Sequence, residues 1–146
     1  MLNLIMTKAH FLGALSFLFL GVQLSAQSQG LELVVKGADH YPTTLAYDIL
    51  DADGKRIIAG FVPLNDANTP VFVAVNLPKT FGVVIYEDEN GNEELDMGIF
   101  GQPTELYGFS NDAWKFLGRP EHEELLLQKQ AEVMRLELQL KSVMDY

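Results

Sequence analysis

Strict alternation of apolar and polar residues is the feature that most limits the folds open to this chain. Leu31, Leu33 and Val35 alternate with Glu32 and Lys36's side of the strand, and Thr44–Leu50 sets Leu45, Tyr47 and Ile49 on one side. Val71, Val73, Val75 and Leu77 repeat the pattern up to Pro78, and Met134, Leu136, Leu138 and Leu140 repeat it against Arg135, Glu137 and Gln139. A period of two places one set of side chains on a single face of an extended strand. The leucine-rich tail favours helix by residue propensity, yet a helix would scatter those leucines round its circumference, so a closing strand is expected. Phe81–Tyr86 is continuously apolar, as a central strand buried on both faces requires. Asp51-Ala52-Asp53-Gly54 is a turn between Thr44–Leu50 and Lys55–Val62, which makes a hairpin. Pro120 followed by Glu121, Glu123 and Glu124 predicts one short helix. Between them, Met97–Gly118 carries four glycines, one proline and several aromatics, and is expected to be a long loop. The fold expected is all-β: a small antiparallel β-sandwich of six or seven strands with one short helix and that long Gly- and aromatic-rich loop.

The first residues have a different character. Lys8 precedes an apolar run, Phe11–Leu20, and Leu24-Ser25-Ala26 then offers small residues before Gln27. Positive end, apolar core and small cleavage site are the order of a secretory signal peptide, so 1–26 is expected to be removed and 27–146 to form a single domain. The apolar core is short for a bilayer span, so no stable membrane anchor is expected after cleavage. The product would be exported, to the periplasm or the medium. Without Lys8 it carries nine basic against 20 acidic residues, a net charge of −11. That balance disfavours phosphate backbones, so no nucleic-acid partner is expected, and it disfavours anionic membrane surfaces. With no cysteine, disulfides, thiol chemistry, lipoprotein acylation and cysteine-ligated zinc are all excluded.

Directly after the central strand comes Glu87-Asp88-Glu89-Asn90-Gly91-Asn92-Glu93-Glu94-Leu95-Asp96, with no Lys or Arg between Lys79 and Lys115. Crowded carboxylates repel unless they are solvated, paired or bridged by a cation. Asp88, Asn90, Asn92 and Asp96 fall at positions one, three, five and nine of a calcium loop, with the aliphatic Leu95 at eight and the Glu94 main-chain carbonyl at seven. Position six is Glu93 instead of glycine, and position twelve is Ile99 instead of a bidentate glutamate. The expectation is therefore a shorter loop of related chemistry, completed by Glu87 or a distant acid, that takes Ca2+ as its one cofactor. Its rival is a plain hairpin, since Asn90-Gly91 is the favoured type I′ pair.

Tyr86-Glu87-Asp88-Glu89-Asn90-Gly91-Asn92, Leu95-Asp96, Phe100-Gly101-x-Pro103, Glu105-x-Tyr107-Gly108-Phe109-Ser110-Asn111 and Pro120-x-x-x-Glu124 together resemble the secreted bacterial family known as domain of unknown function 2141. The resemblance spans most of the chain after the export segment and is densest from Tyr86 to Asn111. It implies an exported sandwich similar to immunoglobulin-like or transthyretin-like modules, and it implies no activity. This chain departs from the family pattern at Glu93, where glycine is usual, and at Leu77-Pro78-Lys79-Thr80-Phe81, which is one residue shorter than the usual entry to the central strand.

Two further features bear on function. Phe100, Tyr107, Phe109 and Trp114 either fold inward to pack the long loop or stack on a glycan or protein ligand. Gly108-Phe109-Ser110-Asn111-Asp112 has the outline of a nucleophile elbow but lacks the second glycine, and only His40 and His122 remain as histidine bases after export. No catalytic residue is assigned. The chain is expected to be a non-enzymatic accessory or structural domain, or alternatively a binding module working through its aromatic loop.

Overall fold

The computed structural model describes residues 29–115 and 118–145. The expected export segment, 1–26, lies outside them. Among the described residues, eight strands run in the order β1 (Gly30–Lys36), β2 (Thr43–Leu50), β3 (Arg56–Leu64), β4 (Val71–Ala74), β5 (Thr80–Asp88), β6 (Tyr107–Phe109), β7 (Leu127–Gln128) and β8 (Val133–Gln139). One helical turn, α1 (His122–Leu125), is the only α-helix among the described residues. They form two sheets, so the protein is all-β. The smaller has the order β4-β1-β8, and the larger runs β3-β2-β5-β6 with β7 paired to the start of β5.

Each alternating stretch contains a strand, the leucine-rich tail included, although β4 stops at Ala74 and leaves Val75 and Leu77 beyond it. Leu31, Leu33 and Val35 of β1 face Leu45 and Ile49 of β2 and Phe81, Val83 and Ile85 of β5 across one shared core. A fully buried Leu, Ile or Phe contributes about 1.5–3 kcal/mol by leaving water. That is why this periodicity overrides the helix propensity of the tail. One pairing departs from the antiparallel expectation: β1 and β8 run parallel, Leu31 opposite Met134 and Val35 opposite Leu138. The 51–54 turn forms as read, with Asp51 Oδ1 accepting the Asp53 and Lys55 N–H groups at 3.0 and 2.9 Å.

The stretch from Met97 to Gly118 is not a simple loop. It contains β6, which pairs with β5 through Tyr86–Tyr107 and Val84–Phe109. Tyr107, Phe109, Leu50 and Leu125 make a second apolar cluster on the outer face of the larger sheet. Trp114 stacks on Tyr107 at 5.3 Å. Tyr107 also exchanges both main-chain hydrogen bonds with Lys141, at 3.1 and 2.9 Å, so the end of β8's segment is stitched to β6 of the other sheet.

Candidate functional site

Asp88 ends β5 and is buried, because the following chain curls over it. Its Oδ1 accepts the Gly91 and Asn92 N–H groups at 2.9 and 3.1 Å, and Oδ2 accepts the Glu93 N–H at 3.1 Å. Asn90 Oδ1 accepts the Asn92 N–H and Asn92 Oδ1 accepts the Glu94 N–H, both at 2.9 Å. Short polar side chains bonding two residues ahead are Asx turns; the two here, at Asn90 and Asn92, together with the longer-reaching Asp88 wind residues 88–94 into a tight coil. Asp96 closes it: the Asn90 and Asn92 amides donate to its two oxygens at 2.5 and 2.9 Å.

Glu93 adopts φ 64°, the left-handed conformation for which calcium loops reserve glycine at this position. A β-carbon there costs about 1–2 kcal/mol. The bond from its N–H to Asp88, together with the Tyr86 hydroxyl donating to its carbonyl at 3.2 Å, holds it in place. Burial, and then the negative charges of Asp88, Asp48 and Glu105, raise the Tyr86 pKa above the usual phenol value, so the hydroxyl keeps the proton it donates. Asn90 does not have a positive φ, so the Asn90-Gly91 type I′ hairpin is not formed.

Asp88, Asn90, Asn92 and Asp96 thus share one coil, to which Glu94 is tied by its N–H bond to Asn92. Glu87, expected as a completing ligand, does not join them. Alternation along β5 turns its side chain to the inward face, where Oε2 accepts the Asp39 N–H at 3.2 Å. The acid that does serve the coil is Glu105. Buried beside it, Glu105 accepts the Glu89 N–H on Oε1 and the Asp96 N–H on Oε2, both at 3.0 Å, and so ties the coil's entry to its exit. Nothing in its spacing from Asp88 announces that role. Among the described residues, no group of three or more His, Cys, Asp or Glu side chains is placed to hold a metal. The coil's polar side chains are two carboxylates, Asp88 and Asp96, and two amides, Asn90 and Asn92, and they bond to each other and to the main chain.

From Asp96 the chain makes a narrow excursion. Met97 bridges to Pro103, and the Gly98 N–H donates to Gln102 O at 2.7 Å. The tip exposes Ile99 at 92 % and Phe100 at 87 %. Met97 and Phe100 line a cleft of about 690 Å³ together with Tyr86, Tyr107, Phe109 and Arg119. Tyr107 and Phe109 are buried in the second apolar cluster, while Phe100 is exposed. Lys115, also at the cleft, has its pKa raised chiefly by the hydrogen bond it donates to Glu121 at 2.5 Å.

Ser110 is buried, and its Oγ accepts the Val83 N–H at 3.0 Å and donates to Leu125 O at 2.5 Å. It fastens α1 to β5 and has no histidine partner among these contacts. Asn111, at φ 62°, adds bonds to Glu124 O and Leu126 O.

Comparison with curated proteins finds no match, and comparison with solved structures finds none. A family profile described as an uncharacterized protein conserved in bacteria (DUF2141) matches residues 42–136. That span runs from the entry to β2 into β8 and contains the coil, Glu105, the excursion and the Ser110 anchor. The chain belongs to the DUF2141 family of bacterial proteins.

Proposed function

We propose that the protein is an exported, non-enzymatic accessory domain whose acidic coil takes up a calcium ion. One observation carries the reading: Asp88, Asn90 and Asn92 are already curled onto the main chain, and Glu93 already sits in the left-handed conformation, which together are the path of a calcium loop. The donor set is all oxygen and irregular, and calcium accepts an irregular shell completed by water where magnesium demands a rigid octahedron. A bound ion would replace the two amide groups as the partner of Asp96. The non-enzymatic part is supported by Ser110, whose hydroxyl is spent on main-chain bonds.

Affinity should be modest, about 0.1 mM, because position twelve supplies no carboxylate. At about 2 mM calcium, such a site adds about 1.8 kcal/mol to stability. Melts in calcium and in EDTA should then differ by about 5 °C for a domain of this size. The double substitution Asp88→Asn and Asp96→Asn should remove that difference. Protein purified from the producing cell should also begin at or near Gln27 by mass spectrometry. Coincident wild-type melts would refute the calcium site, and an intact Met1 would refute export.

A second reading is favoured by the exposure of Phe100 over the cleft. In it the protein is a binding module that contacts a glycan or a protein through the 97–103 excursion. A glycan array probed with wild type and Phe100→Ala should show hits that weaken about tenfold in the variant, as loss of an aromatic hot spot does. Hits indifferent to Phe100, or none, would count against it.

A further inference from the structure

Among the described residues, Glu87 Oε1 is the one buried side-chain polar atom without a hydrogen-bond partner. Glu87 follows Phe81, Val83 and Ile85 on the inward face of β5, and its side chain is 0 % exposed. Its other oxygen is held by the Asp39 N–H. A buried carboxylate oxygen without a partner has lost its water with nothing in exchange, so a compensating group is called for. No Lys or Arg pairs with it among the described residues; the group facing Oε1 is His40, whose Nδ1 stands 3.7 Å away.

That separation is informative. It is too long for a hydrogen bond, which closes to about 2.7–3.2 Å. It lies close to the roughly 3.4 Å between two donors that each sit about 2.05 Å from one tetrahedral ion. The His40 side chain is 54 % exposed, so one side of the pair is open to solvent while the other is walled by the core.

We propose that His40 Nδ1 and Glu87 Oε1 are two donors of a site for a borderline divalent cation of the zinc, copper or nickel type, completed on its open side by water. Imidazole nitrogen selects this class of ion over calcium, which prefers oxygen alone. The Asp39 N–H acts as the outer contact that fixes the carboxylate, the role such hydrogen bonds play around protein metals. With two protein donors the ion is exchangeable. The site lies on the opposite face of β5 from Asp88, and it does not depend on the acidic coil binding calcium.

The test is calorimetric titration of the purified protein with zinc chloride in the presence of 2 mM calcium (about the upper range of extracellular sites). One zinc per chain is expected. His40→Ala and Glu87→Gln should each weaken binding at least about tenfold. Asp88→Asn with Asp96→Asn should leave zinc binding unchanged, as should His122→Ala, which removes the histidine 3.3 Å from Glu123. Electron paramagnetic resonance of the copper(II) form should show one nitrogen donor that disappears in His40→Ala. If Glu87→Gln does not fold, the half-exposed His40 still decides the question. Absence of zinc binding would overturn the proposal. So would binding that persists in His40→Ala or vanishes in His122→Ala.

Discussion

Glu105→Ala is expected to lower stability by about 3 kcal/mol. Two hydrogen bonds to a charged acceptor are lost, each worth about 1.5–3 kcal/mol. Some of that returns because Glu89 is exposed and water can reach its N–H. Glu105→Gln keeps one acceptor oxygen but sets an amide N–H₂ against the second donor, so about half the loss should remain. Urea denaturation of the three proteins measures the series. The coil should also become a protease-sensitive segment in Glu105→Ala, because its entry at Glu89 and exit at Asp96 are no longer tied together. A loss below about 1 kcal/mol would mean that the Asx turns hold the coil without help.

Gly108→Ala should be comparably damaging for a different reason. A β-carbon at Gly108 would lie 2.3 Å from the main-chain oxygen of Gln139 and 3.1 Å from its carbonyl carbon. Neither is the end of a flexible side chain, so a strand has to move. The pair of bonds between Tyr107 and Lys141 sits next to the collision and would open with it. Overpacking of this kind costs about 1–3 kcal/mol and sometimes more, and the lost pair moves the expectation to about 3 kcal/mol. Gly91→Ala is the control. Its β-carbon meets nothing within 4 Å, and only its φ of 71° penalises the change, at about 1 kcal/mol. Thermal melts should rank Gly108→Ala well below Gly91→Ala, and equal melting temperatures would show that β6 and β8 part without loss.

Alternation reports which face of a strand is buried but not which strand lies beside it. For that reason Leu31–Val35 and Met134–Leu140 were legible as strands, while their parallel pairing was not. β6 escaped detection because Tyr107-Gly108-Phe109 is too short to show a period and looks like loop composition. β7 is shorter still. The oxygen spacing from Asp88 to Asp96 carried the coil into view, since Asx turns are local and their geometry follows from residue type. Glu105 contributes through a contact 16 residues distant, and no local rule predicts it. Glu87 was legible as an acid beside the coil. Its inward direction depended on where β5 stops, two residues beyond the apolar run.

The parallel pair of β1 and β8 also bears on the order in which the chain can acquire structure. Glu32 and Arg135, which pair across these strands, are 103 residues apart, so the smaller sheet closes through one of the longest loops the chain allows. Long-range closure slows folding because its entropy is lost before contacts compensate. While β8 is still unavailable, β1 has β4 as its one neighbour, and the core face of Leu31, Leu33 and Val35 stays uncovered along β8's side. The larger sheet can pair without β8, so the smaller sheet is the part that closes last, when 133–139 reaches the open side of β1.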